Sequence, residues 1–104
     1  MNSVIEKLPT RGDFSEQLNS VFHAHLNDGS AFDLSLVGSE MAFSTAETEN
    51  FTLLFCAPLD TPPVQSIYRI ENERLGSMDI FLVPVKQDDK GLYFEAVFSR
   101  LVTQ

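Results

Sequence analysis

The chain has 104 residues, which is the size of one ordinary domain with a single hydrophobic core. Because 43% of the residues are hydrophobic, including nine Phe, the composition excludes a disordered chain. Fifteen acidic and seven basic residues give a formal net charge of -8, which disfavours direct binding to nucleic acid or to an anionic membrane.

The single cysteine, Cys56, cannot form an internal disulfide, which is typical of a reducing compartment. The first residues have no basic stretch followed by an apolar run, and no segment approaches the roughly 18 apolar residues of a membrane-spanning helix. We therefore expect one cytoplasmic domain over residues 1–104, with residues 1–9 flexible.

A short helix is predicted near the start of the chain. Thr10 is a suitable N-cap, Asp13 occupies the third helical position, and apolar residues follow at spacings of three to four, beginning with Phe14 and Leu18. The tripeptide Arg11-Gly12-Asp13 resembles a cell-adhesion motif, but a helix start explains Asp13 better because a first-turn acid complements the helix dipole.

From about Val21 the hydrophobic period changes to two, which indicates strands. Segments 21–26 and 31–38 flank Asp28-Gly29, a tight hairpin signal. We interpret residues 39–50 as a short edge strand that runs into an acidic loop, and residues 50–58, apolar on both faces, as a central strand.

Later in the chain, Pro62 and Pro63 mark a loop, and residues 64–70 predict a strand. Residues 78–85 and 92–102 predict two further strands, joined by Asp88-Asp89-Lys90-Gly91 with a left-handed glycine. Pro84 is expected at an edge, a bulge or a strand end. The predicted fold is mainly β: a six-stranded antiparallel meander, small barrel or sandwich with one short N-terminal helix.

Four segments carry a resemblance to a known family: 51–58 (FTLLFCAP), 65–70 (QSIYRI), 75–85 (LGSMDIFLVPV) and 91–100 (GLYFEAVFSR). With Asp13-Phe14 before a short helix, they resemble an uncharacterised bacterial family of small β-rich domains of unknown function. The chain departs from that pattern at Glu71-Asn72-Glu73, where the family has His before Leu-Gly, and at Tyr93-Phe94-Glu95. The resemblance implies a fold and an association with phage-tail-like gene neighbourhoods, but no activity.

Two histidines, His23 and His25, are spaced so that both point to one face of a strand, as in some metal sites. The local sequence supplies no third ligand, so we predict a polar strand face and no metal or other cofactor. Cys56 would act as a nucleophile only with a base such as His23 or His25 beside it, and we expect a packed thiol instead.

Five polar residues lie among the predicted strands, where a polar side chain needs either a hydrogen-bond or ion-pair partner within the protein or a function. These candidate binding residues are Gln65, Tyr68, Arg69, Glu95 and Arg100. Glu95 lies between aromatic residues, and Arg69 or Arg100 is its expected ion-pair partner.

No catalytic motif is recognisable, so the first hypothesis is a non-catalytic interaction or assembly module that binds a protein partner or forms a homo-oligomer, with edge strands available for pairing. A second hypothesis is a small-molecule-binding barrel or minor enzyme, which requires His23, His25, Tyr68 and Tyr93 to converge in one cavity. The acidity suggests a third, an inhibitor of a nucleic-acid-binding protein.

Overall fold

The computed structural model of the protein describes residues 9–41 and 48–101. The described residues form one helix and six strands, which close into a barrel. The elements in chain order are α1 (Arg11–Ser15), β1 (Val21–His25), β2 (Ala31–Met41), β3 (Thr48–Ala57), β4 (Ser66–Asn72), β5 (Gly76–Asp88) and β6 (Gly91–Leu101). The mainly β prediction with six antiparallel strands is therefore confirmed, and the architecture is a small closed barrel.

The strands follow the order β1-β2-β3-β6-β5-β4 around the barrel, and every neighbouring pair is antiparallel. This order departs from a meander because β3 pairs with β6, and the barrel closes where β1 pairs with β4. Every described strand therefore has two neighbours. The prediction of free edge strands is wrong, because closure supplies each strand edge with a partner.

Residues 39–50 do not form a strand of their own where the structure describes them. Residues 39–41 extend β2 and residues 48–50 begin β3, so both strands are longer than their apolar cores suggest. Residues 42–47, the rest of the predicted acidic loop, lie outside the described residues. The same holds for residues 1–8 of the segment predicted to be flexible, whereas Pro9 is buried.

The helix start has the predicted capping box. The Thr10 backbone N–H donates to the Asp13 carboxylate at 3.0 Å, and the Asp13 N–H donates to the Thr10 hydroxyl at 3.1 Å. The helix ends at Ser15, so Leu18, predicted to continue its apolar face, is instead exposed in the turn that follows.

Phe14 gives this short helix its structural role. Its side chain is completely buried, and its ring lies 5.4 Å from the ring of Phe98 and 6.2 Å from that of Phe51. The helix therefore packs onto the aromatic core through Phe14.

The barrel interior is filled by hydrophobic side chains from all six strands. Alternate residues of each strand point inward, as the period of two requires. Large fully buried side chains include Phe22 of β1, Leu34 of β2, Phe55 of β3, Tyr68 of β4, Leu82 of β5 and Phe94 of β6. Among residues 9–41 and 48–101, no helix is long and apolar enough to span a membrane.

Two glycines, one in a turn and one at the start of β6, are required for different physical reasons. Gly29, in the β1–β2 hairpin, has a φ of 94°, which confirms the predicted left-handed turn residue. Gly91 does not have the left-handed backbone that we predicted. It is required because a Cβ there would lie 2.2 Å from the Ala57 carbonyl oxygen and 2.7 Å from the Cys56 sulfur.

The predicted irregularity at Pro84 is confirmed as a bulge. The register between β5 and β6 shifts between Pro84 and Lys86, so a residue without an amide donor is accommodated within a long strand.

Candidate functional site

The outer surface of the barrel has a polar side that crosses β2, β1, β4 and β5. We call it the polar wall and define it by six charged or ionisable side chains: His23, His25, Asp33, Arg69, Glu71 and Asp79. Cross-strand pairing brings them together, because His23 lies opposite both Asp33 and Glu71, and Arg69 lies opposite Asp79. Both histidines point outward while Phe22 and Ala24 are buried, as the sequence predicted.

The polar side chains of this wall are already paired with one another. His23 Nδ1 lies 2.6 Å from Asp33 Oδ1, and His25 Nε2 lies 3.4 Å from Glu71 Oε1. Arg69 Nη1 donates to Asp79 Oδ1 at 3.2 Å. Because all three pairs are about half exposed or more, each contributes only about 0–1 kcal/mol to stability. Two of the three carboxylates of the wall therefore face a histidine, and the third faces Arg69.

A groove of about 510 Å³ runs along the polar wall beside His23, His25, Phe32 and Glu71. It is shallow and open to solvent. No group of three or more His, Cys, Asp or Glu side chains within the described ranges is placed to hold a metal ion.

The cavity required by the small-molecule hypothesis is not formed. Tyr68 is completely buried inside the barrel, where its hydroxyl donates to the Val64 carbonyl oxygen at 2.5 Å. His23 and His25 are on the outer surface of β1. Tyr93 is on the face of β6 opposite to Phe94, where it is only 9% exposed beneath the Lys86 ammonium, which is 4.8 Å from the ring centre. These four residues do not converge, because strand alternation sends Tyr68 inward and the others outward.

Cys56 lies opposite Tyr93 on neighbouring strands and is partly buried. Its sulfur is 3.8 Å from the Ala57 carbonyl oxygen, and β2 separates it from the histidines of β1. Neither histidine is therefore beside the thiol as a base. The tyrosine opposite Cys56 is perturbed as well: burial, reinforced by the adjacent Asp88 carboxylate, raises the pKa of Tyr93 to about 12.

A second side of the barrel, across β3, β6, β5 and β4, is apolar although it faces outward. We call it the apolar wall and define it by Leu54, Ile67, Phe81, Val83 and Val97. Ile67 and Phe81 lie directly opposite each other and are 62% and 51% exposed, and Val97 is 70% exposed. Leu54 and Val83 are partly buried. These strands therefore carry large hydrophobic residues on both faces, the one buried in the barrel and the one that faces outward.

Glu95 lies in the middle of the apolar wall. Its neighbours across the strands are Leu54 on β3 and Val83 on β5, and its side chain is partly buried. Among the side chains that the structure describes, Glu95 forms no ion pair. A concavity of about 140 Å³ lies beside it, lined by Gly38, Ser39, Glu40, Thr52, Leu53 and Leu54.

The five residues predicted to bind do not form one site. Gln65 is exposed just before β4, Tyr68 points into the core, and Arg69 belongs to the polar wall. Of the two partners expected for Glu95, Arg69 is wrong, because it pairs with Asp79 instead. The Arg100 side chain lies outside the part of the chain that the structure describes. Their functional roles stay a prediction.

Sequence reasoning did not single out the apolar wall or Asn72. The signal for the wall was present in residues 78–85, which are apolar at nearly every position and therefore on both faces of a strand. Asn72 is buried and joins β1 to the β4–β5 turn: its amide donates to the Val21 carbonyl oxygen at 3.1 Å, and its oxygen accepts from the Leu75 N–H at 2.9 Å. A lone Asn before a turn carries no signal of such a long-range contact.

Comparison with known proteins identifies a family and no named relative. No curated protein and no solved structure matches the chain. A family model described as Domain of unknown function (DUF6916) matches residues 9–98, which include the helix, the first five strands and most of β6. The chain therefore belongs to the DUF6916 family of domains of unknown function.

Proposed function

We propose that the protein is a non-catalytic interaction or assembly module that binds another protein through its apolar wall. One observation carries this proposal: Ile67 and Phe81 lie directly opposite each other on β4 and β5, and they and Val97 on β6 each expose more than half of their surface. Large exposed apolar side chains grouped on one side of a protein mark interaction sites.

Two features favour this function over a ligand-binding barrel. Aromatic and aliphatic side chains occupy the barrel interior, so a small molecule finds no space there. The polar wall offers a groove, but its charged and ionisable side chains are already paired with one another. The unpaired Cys56 supports a cytoplasmic location for the interaction. The resemblance to a family associated with phage-tail-like gene neighbourhoods supports the more specific proposal of a role in assembly.

The partner chain would meet a side-chain surface and not a strand edge. Because each described strand already has two neighbours, addition of a strand to the sheet is not the proposed mode of binding. Phe81 and Ile67 are the expected anchors, since large apolar side chains on fixed backbone bind at a small entropic cost.

The test compares two triple variants with the wild-type protein. One replaces the wall residues Ile67, Phe81 and Val97 with Thr, which keeps strand propensity; the control replaces His23, Arg69 and Asp79 of the polar wall with Thr. Each protein is used for affinity capture from a lysate of its own organism with quantitative mass spectrometry, and its mass is measured by light scattering. Circular dichroism checks that each variant is folded.

We expect a stoichiometric partner, or a defined oligomer, for the wild type and for the polar-wall control, and its loss for the apolar-wall variant. The proposal is wrong if the apolar-wall variant keeps every association of the wild type, or if only the polar-wall variant loses it.

A further inference from the structure

We infer that the partner is a different protein that presents Lys or Arg flanked by apolar residues, and that the basic side chain inserts beside Glu95. This inference rests on the proposed function, because it specifies which partner the apolar wall binds. It depends on Glu95, on the concavity next to it and on the charge of the whole chain.

Glu95 is a partly buried carboxylate between apolar neighbours, and it forms no ion pair with the side chains that the structure describes. Its cross-strand neighbours are Leu54 and Val83, so a cation bound there would meet the carboxylate on an apolar surface, where a charge pair is screened less than in open solvent. The cation on the adjacent strand, Lys86, lies over the Tyr93 ring instead. A partner cation would supply the ion pair that the described part of the chain does not provide.

The concavity beside Glu95 gives that cation a place to enter. It arises at a bulge in β2, where the register with β3 shifts between Leu36 and Gly38. Gly38 has no side chain to fill the space, and Glu40 lies at its rim, so the lining carries two carboxylates and no described cation. The volume of about 140 Å³ fits the end of one Lys or Arg side chain better than a whole ligand.

The charge distribution argues against a second copy of this chain as the occupant. A symmetric dimer through this wall presents the same patch from both subunits, so it would bring the Glu95 and Glu40 carboxylates of both chains into one interface without adding a cation. The net charges of -8 on the two chains would add to this repulsion. A basic partner gains from the same field, both in the rate of encounter and in the paired complex.

A matched pair of variants separates the charge of Glu95 from the charge of the whole chain. Glu95→Gln removes the carboxylate and keeps the shape of the side chain. Glu73→Gln changes the net charge by the same amount at an exposed position in the β4–β5 turn. A third variant, Glu95→Lys, reverses the charge, and circular dichroism establishes that all three proteins are folded.

The probe is a random peptide library displayed on phage and selected against the wild-type protein, with the apolar-wall variant as counter-selection. Synthetic versions of the selected peptides are then titrated by fluorescence polarisation. We expect Lys or Arg next to apolar residues, a dissociation constant weakened about tenfold or more by Glu95→Gln, and a change within about twofold for Glu73→Gln. Selection against Glu95→Lys should enrich acidic residues instead.

Four results would overturn the inference. Selected peptides that depend on the apolar wall but lack basic residues, or that bind Glu95→Gln and Glu73→Gln equally, refute the charge argument and leave the proposed function standing. A stable homodimer that the apolar-wall variant abolishes does the same. A selection that yields no peptide dependent on the wall, with no association lost in the lysate capture, rejects both proposals.

Discussion

Replacing Phe14 with Ala tests whether the five-residue helix is part of the barrel core. The Phe14 ring is completely buried and contacts the rings of Phe22, Phe51 and Phe98. Truncating a buried Phe to Ala costs about 3–5 kcal/mol, because transfer free energy is lost and a cavity remains. A domain of this size is stable by about 5–15 kcal/mol, so the variant should lose a large part of its free energy of unfolding.

The measurement is urea denaturation followed by circular dichroism, together with a thermal melt. At about 4–8 °C for each kcal/mol, the Phe14→Ala melting temperature should fall by roughly 12 °C or more. The matched control is Leu18→Ala, three residues beyond the helix and 44% exposed, which should change stability by no more than about 0.5 kcal/mol. If Phe14→Ala costs less than about 1 kcal/mol, the helix is an appendage and the packing argument fails.

Two further predictions concern Gly91 and the tyrosines. Gly91→Ala should destabilise the protein by about 1–3 kcal/mol in urea denaturation, because the new Cβ would clash with the Ala57 carbonyl oxygen. The control Gly12→Ala makes only ordinary contacts, so its free energy of unfolding should stay within about 0.5 kcal/mol of the wild type. Equal effects of the two substitutions would contradict the argument from close approach. Burial raises the pKa of Tyr68 and raises that of Tyr93 to about 12, so ultraviolet titration of the folded protein should show little tyrosinate near pH 10. Because both phenols ionise at lower pH in the unfolded chain than in the folded protein, the free energy of unfolding should be highest below about pH 10 and should decrease as pH rises towards 12. Ordinary titration of both phenols in the folded protein would contradict the assigned burial.

The strands were predictable because their side chains either alternate in polarity, as in β2, or form apolar runs, as in β3 and β5. Phe32, Leu34 and Leu36 indicated the inner face of β2, and Asp28-Gly29 indicated the hairpin before it. The closure of the barrel was not predictable from these local signals. It depends on the pairing of His23 with Glu71, which lie far apart in the chain, and alternation alone does not specify which strands become neighbours.

The site was less predictable than the fold. Polar residues were chosen as candidates because buried polar groups need partners, but Tyr68 and Arg69 satisfy that need within the protein, with Val64 and Asp79. Glu95 differs from these two residues because it has no ion-pair partner among the described side chains, and its neighbours on β3 and β5 are apolar. These neighbours can be identified only when the register between the strands is known, and the sequence alone does not determine that register.

The join between β1 and β4 also has a consequence for how the chain folds. β1 has only five residues, and its partner strand is made much later during synthesis. Until β4 arrives, the free edge of β1 exposes unpaired amides and carbonyls beside Phe22 and Ala24, and the loop to be closed makes this pairing entropically expensive. We expect the closing of this join to come late in folding, so the nascent β1–β2 hairpin is the part of the molecule most exposed to mispairing with other chains.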